Sequence, residues 1–368
     1  MSFEVATFWS SREYGTLDTD LIEAVEEALT RLPPGDGTTR CRLLTTLAFE
    51  LEGEPTERGY LASREAVAMA RRLGDRHLLV LALNGRFHQS FRYGGQAERA
   101  DIGEELASLS GSDVTVEVLG HLMLMQAAID RADLTVADRH AARATRLAEL
   151  YDLPLTLAVT GFYDGLRAVL AGDYDEAESR YRTGAELAGR LGMWQHELGL
   201  LLLGRYGMHL MRGDLTPLLP DLELFASTGP WREQTLELYA LALCHAGRTE
   251  EARALVPAGA PPVRRDYFWH ILTTVRGLLG IAIDDRGRAG PAYEALLPFS
   301  ARPVGSTGYL AVWPTAQVLG DLAAYLGRPA DGHYREALAV AERAGVWPWI
   351  DAARTALAQI DQVKEKRS

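Results

Sequence analysis

Four pairs of polar side chains stand four residues apart: His88 with Arg92, Gln126 with Asp130, Tyr163 with Arg167, and Arg205 with His209. On a helix that spacing puts both members of a pair on one face. Arginines arrayed along a wall are suited to holding an anion, because a planar guanidinium pairs two oxygens at once. A neighbouring histidine would make the grip pH-dependent. Later stretches add Glu237, Tyr239 and His245, then Trp269, His270 and Arg276, then Tyr309 and Trp313. The competing reading for the aromatics is packing between neighbouring helical units. For the Arg and His pairs it is a solvated face, or a buried pair with a nearby acid.

Catalytic signatures are missing around these residues. Of 38 basic residues 36 are arginine, and the two lysines, Lys364 and Lys366, sit in the tail. That excludes a P-loop, Schiff-base and pyridoxal chemistry, and Ser-x-x-Lys acylation, all of which need an ordered internal lysine. Val304-Gly-Ser-Thr-Gly308 has the wrong spacing for a nucleophile elbow, and His196-Glu-Leu-Gly-Leu200 lacks the second histidine of a zinc helix. Asp284-Asp285-Arg-Gly-Arg288 puts arginine where a diphosphate-binding magnesium site needs a third acid. Cys41 and Cys244 stand 203 residues apart in apolar surroundings, which reads as two buried thiols. The expectation is therefore no metal, no cofactor and no enzyme. A Ser/His/Asp set assembled from distant helices is not excluded by sequence alone. The net charge of −12 repels phosphate backbones, so direct nucleic-acid binding is not expected. With no leader-like start and no long apolar run, the chain reads as cytoplasmic.

The elements that must carry these residues are set by a repeat. A Gly- or Asp-containing turn, preceded by an apolar helical stretch and usually followed by Ala, recurs near positions 94, 132, 172, 213, 247, 287 and 327. The intervals are 38, 40, 41, 34, 40 and 40 residues, and a weaker copy at Gly53 precedes the first by 41. Such regularity predicts stacked helix–turn–helix units. Glycine ends one helix in the left-handed conformation, Asp or Thr caps the next, and a small residue such as Ala177, Ala252 or Ala292 lets the two approach. Helical spacing recurs between turns, as in Ala66, Met69, Ala70 and Leu73. The predicted fold is all-α: about eight helical hairpins in a right-handed superhelix, capped by helices near 18–32 and 348–363. Ala258-Gly-Ala-Pro-Pro262 is the candidate bend or subdomain break between residues 1–258 and 259–368, the alternative being one continuous array.

Residues 161–189 resemble a tetratricopeptide repeat, with Gly161, Gly165, Ala168, Gly172, Tyr174, Ala177, Tyr181 and Ala185 at its small and aromatic packing places. Other stretches add a second resemblance. They are Tyr14 to Leu29, Leu32-Pro-Pro-Gly-Asp36, Arg42 to Ala48, Ser63 to Asp75 and His333 to Gly345. Together they resemble the C-terminal helical-repeat region of SARP-type and STAND-ATPase transcriptional activators of antibiotic and secondary-metabolite biosynthesis. That resemblance implies a non-catalytic sensor whose concave groove binds a protein or peptide, another domain of the same regulator, or a small-molecule effector. Oligomerisation is compatible with it. The groove residues would be His88, Arg92, Gln126, Asp130, Tyr163, Arg167, Arg205, His209, Trp269, His270, Arg276, Tyr309 and Trp313. The alternative is a helical-repeat enzyme or a small-molecule-binding protein with a closed pocket. Trp347-Pro-Trp349 reads as a hydrophobic seam onto the last helix.

Overall fold

The computed structural model describes residues 17–365, apart from 53, 55, 92–97, 112, 192–196, 228–231, 257–262, 264–266 and 306–307. Among the described residues the fold is all-α, with eighteen α-helices and a single isolated β-bridge, Pro303 to Pro314. The first nine are α1 (Thr19–Arg31), α2 (Thr38–Glu50), α3 (Arg58–Leu73), α4 (Arg76–Gln89), α5 (Glu98–Leu109), α6 (Val114–Asp130), α7 (Leu134–Tyr151), α8 (Pro154–Ala171) and α9 (Tyr174–Arg190). The rest are α10 (Glu197–Arg212), α11 (Leu219–Ser227), α12 (Arg232–His245), α13 (Thr249–Leu255), α14 (Trp269–Ala282), α15 (Arg286–Leu296), α16 (Thr315–Leu326), α17 (Asp331–Ala344) and α18 (Trp347–Glu365).

Local chemistry sets the helix ends. The carboxylates of Asp18, Asp75, Asp113, Asp133, Asp173 and Asp285 each accept a backbone N–H from the first turn of the helix that follows. Such a cap contributes about 1 kcal/mol. Gly172 and Gly327 close α8 and α16 with φ of 82° and 75°. One turn differs from its predicted place. Asp284, at φ 58°, takes the left-handed position, and Gly287 falls inside the first turn of α15. The Asp285 cap starts that helix earlier than the glycine spacing implies. The turn at Gly94, the weak copy at Gly53 and the Ala258–Pro262 break lie outside the described residues. One cluster of buried apolar residues runs from Ala158 to Tyr334, on both sides of that break.

Helices pair through small residues. Ala137, Ala177, Ala252, Ala292 and Ala337 are all buried. A Cβ on Gly165 of α8 would stand 2.7 Å from the Tyr181 ring of α9, so only glycine lets that ring lie flat on the neighbouring helix. Gly320 and Tyr334 repeat the arrangement between α16 and α17. Helices two apart also meet: α2 with α4, α8 with α10, α12 with α14, and α14 with α16. In these pairs the even-numbered helices touch each other as well as the odd-numbered helix between them. The odd-numbered α3, α7, α9 and α17 bury one stripe, such as Ala137, Ala141, Ala144 and Ala148 in α7. By contrast α6 buries every residue from Leu122 to Asp130. A helix buried all round must have a second covering.

Much of that covering is the stretch between α15 and α16. It folds back on itself through Val304 N–H to the Trp313 carbonyl (2.9 Å), Val312 N–H to the Val304 carbonyl (2.9 Å) and Thr315 N–H to the Arg302 carbonyl (2.8 Å). Its buried residues Val304, Tyr309, Leu310 and Val312 belong to the same core cluster as α8 to α10. The Tyr181 hydroxyl donates to the Tyr309 carbonyl at 2.9 Å. A Cβ on Gly207 of α10 would collide with Leu310, and one on Gly308 would lie 3.3 Å from Gln126 and Met125 of α6. Farther on, α18 packs on both α17 and α8. Trp349 is buried there while Trp347 is 64% exposed, so only one of the two tryptophans forms the predicted seam.

Candidate functional site

The inner segment brings a polar cluster together. Arg302 forms an ion pair with Asp130 at the end of α6. His270 of α14 shares a hydrogen bond of 3.0 Å with the Thr315 hydroxyl, which in turn donates to the Arg302 carbonyl at 2.8 Å. Arg99 of α5 is buried beside them, with its guanidinium 4.2 Å above the Phe91 ring and its nitrogens 3.3 Å from the Ser90 hydroxyl and carbonyl oxygens. Burial lowers the Arg99 pKa from its usual value, and the Asp130 carboxylate partly offsets that. Gln126, one turn before Asp130, is fully buried, and neither atom of its carboxamide has a hydrogen-bond partner among the described residues. The Tyr309 ring lies between Phe162 and Tyr267, at centroid distances of 6.1 and 6.3 Å.

Of the predicted groove residues, Gln126, Asp130, His270 and Tyr309 therefore meet around the inner segment, together with Trp269 and Trp313 at its two ends. Trp269 packs on Phe299 at 5.3 Å, and the Trp313 carbonyl closes the fold-back. The others stand in separate pairs. Tyr163 and Arg167 do share a face, but both donate to Asp138 of α7, at 2.6 and 2.9 Å. Arg205 reaches Glu178 of α9 at 3.1 Å and Asp221 of α11 at 2.7 Å. Arg276 pairs with Glu237 of α12 at 2.9 Å, and Arg288 of α15 joins the same carboxylate at 2.6 Å. The Nδ1 atoms of His209 and His245 face the carbonyls of Asp214 and Gly213, at 3.0 and 3.1 Å, and pin the turn after α10. His88 is buried between Phe49 and Phe87, with Nδ1 3.2 Å from Glu52 but not at hydrogen-bonding angles. Arg92 lies outside the described residues. Neighbouring helices thus supply acids to Arg167, Arg205 and Arg276.

No family model matches the chain, and no curated protein matches it.

Sequence reasoning passed over Arg99 and Arg302. Arg302 stands in a stretch with no helical period, where spacing says nothing about which way a side chain points. It also passed over His121 and His140, whose Nδ1 atoms lie 2.9 Å apart between α6 and α7. Burial, with the repulsion of His140, lowers the His121 pKa. No group of three or more His, Cys, Asp or Glu among the described residues is placed to hold a metal ion. No described helix is long and apolar enough to cross a membrane.

Two groups give the fold opposing pH dependences. Both keep some accessible surface, yet protein encloses their charged atoms on nearly all sides. Burial pushes the His270 pKa down to about 4 from 6.5, with Asp130 opposing and Arg302 and Arg99 adding to the shift. Burial pushes the Asp321 carboxyl of α16 up to about 6 from 3.8, against the hydrogen bond it accepts from Tyr334. The unfolded chain binds the His270 proton more readily, so that stability is complete above 6.5 and is lost as pH falls towards 4. For Asp321 the folded state binds the proton more readily, so stability is complete below 3.8 and is lost as pH rises through 6. Each amounts to at most about 3 kcal/mol, and the two largely cancel between pH 4 and 6. Asp321→Asn keeps an acceptor for Tyr334 and removes one side of the balance. Its melting temperature should exceed that of the wild type at pH 7, and the advantage should shrink towards pH 4. A difference constant across that range would show that Asp321 titrates as if exposed.

Proposed function

We propose that the chain is a tetratricopeptide-type array of eight hairpins, α2/α3 to α16/α17, coiled as a right-handed superhelix, with α1 and α18 at its ends. In this reading it is a non-catalytic sensor and interaction region. It acts from the cytoplasm on a multidomain transcriptional activator of secondary metabolism, without touching nucleic acid itself. The observation that carries the reading is the fold-back segment from Ser300 to Pro314, whose Tyr309 is held by Tyr181 and whose Arg302 is held by Asp130. The array already accepts non-helical polypeptide through a hydroxyl, a carboxylate and apolar contacts. Those are the contacts by which helical-repeat grooves receive a peptide. A partner segment would engage the same wall by exchange with the chain's own.

The resemblance to activator sensor regions names the partner: a chain carrying DNA-binding and ATPase regions, either attached or associated. Native mass spectrometry of the protein purified from its own host is expected to show such a chain in stoichiometric complex. Catalytic turnover of a small molecule by the purified chain would overturn the reading.

A further inference from the structure

Two histidines meet on the seam between α6 and α7. His121 of α6 and His140 of α7 bring their Nδ1 atoms to 2.9 Å, and their ring centroids stand 5.2 Å apart. That centroid distance is close to the largest that such a contact between two imidazoles allows. The two nitrogens point at one another along a common line, as an N–H group and its acceptor do. One ring must then carry its proton on Nδ1, while the other offers a bare Nδ1. The Nε2 atom of His121 faces the Glu117 carboxylate, one turn earlier on α6, at 3.8 Å. That charge favours a proton on Nε2 of His121, which makes His121 the acceptor and His140 the donor.

This arrangement treats a first and a second proton differently. The first, taken from solvent, adds to Nε2 of His140 and leaves the bond between the rings in place, strengthened by the charge. The second has only Nδ1 of His121 to go to, and two N–H groups on two cations would then face each other. The surroundings give little relief. The charges acting on the rings are Glu104 from α5, Glu117 of α6, Arg131 at its end, and Arg139 and Arg143 from α7, so three arginines stand against two acids. Glu117 already accepts from Arg143 at 2.9 and 2.5 Å. Towards α8, Asp138 of α7 is taken up by Tyr163 and Arg167. Burial is the main cause that lowers the pKa of both rings, so the contribution of the uncharged pair is complete above 6.5 and is lost as pH falls.

Ala137, Ala141 and Ala144, the buried stripe on which α7 lies against α6, flank His140 one helical turn away. Small residues there hold the two helices close, so a repulsion between the rings acts on the helices themselves. We propose that the His121–His140 pair is a proton-operated latch, which holds α7 on α6 until the second proton arrives and then releases it. The latch sits on the helix whose far end, at Asp130, pairs with Arg302 of the inner segment, so release also disturbs the wall that holds that segment. The inference rests on the geometry of the two rings and stands whether or not the array serves an activator.

The test follows amide hydrogen exchange of the full chain between pH 7 and pH 4.5, each rate divided by that of an unstructured peptide at the same pH. The neighbouring hairpin α8/α9, which has no histidine, is the internal reference. Over that range α7 is expected to lose about tenfold more protection than α8 and α9, the factor that one pKa unit represents. His140→Asn and His121→Asn each keep an amide near the place of Nδ1 but take up no proton, so each should abolish the extra loss. In nitrogen-15 spectra of the wild type at pH 7, one ring should carry its proton on Nδ1 and show a coupling across the bond to the bare Nδ1 of the other. An α7 that stays as protected in acid as α8 and α9 would overturn the latch. So would an extra loss that persists in the folded variants. Two rings both protonated on Nε2 at pH 7 would overturn it even if neither variant folds.

Discussion

Asp130→Asn is expected to lower unfolding stability by about 3–5 kcal/mol in urea titrations, and to open the bond after Tyr309 of the inner segment to chymotrypsin. Asp130 is buried and forms the ion pair with Arg302, while Arg99, fully enclosed, draws on the same negative charge. Removing that charge takes the facing carboxylate away from the half-buried Arg302 and the buried Arg99, and a stranded charge costs far more than an exposed pair contributes. The Arg302–Asp130 pair ties the inner segment to α6, so the damage should be local as well as global. Cleavage after Tyr309 should quicken before the helices melt. A loss below about 1 kcal/mol with the segment still protected would mean that the pair behaves as a surface contact.

Glu237→Gln should cost a similar amount, about 3–5 kcal/mol, and here the cause can be separated from its consequence. Glu237 is buried on α12 and accepts from Arg276 of α14 and from Arg288 of α15, so one carboxylate joins three helices. Arg288 also pairs with Asp285 at 3.0 Å, whereas Glu237 is the acid that joins Arg276 of α14 to α12. If the loss comes from stranded charge, replacing all three groups by methionine should recover most of it, because buried ion triads and well-packed apolar side chains are often near equal in stability. If it comes instead from geometry that only the carboxylate enforces, the triple variant will stay as unstable as the single one. Equilibrium unfolding of both variants decides between them.

The repeat was legible because its signals are local. A glycine that must be left-handed, an aspartate that caps and an alanine that permits contact act within a few residues, so Gly172, Asp173 and Ala177 announce their turn directly. Where another residue can do the job, the signal slips, as at Asp284, which takes the place that the spacing assigned to Gly287. The i, i+4 pairs were also real as faces: Tyr163 and Arg167 do point the same way. What they point at was not legible, since Asp138 lies 29 positions from Arg167 and on another helix. The same limit hid the inner segment. Nothing in the residues from Arg302 to Trp313 has a period, and their destination depends on helices more than a hundred positions away.

That separation has a consequence during synthesis. Asp130 leaves the ribosome 172 residues before Arg302, and Tyr181 leaves it 128 residues before the carbonyl it will hold. At about 5–20 residues per second, the Asp130 face of α6 waits on the order of 10–30 s for its covering. An array whose units touch only their neighbours could bury each surface as it emerged. This one must carry an unfinished apolar wall, including the face of α8 that α18 later meets, through much of translation. Its nascent chain is therefore a natural client for holding chaperones. Slow codons before the inner segment would lengthen the interval in which it aggregates.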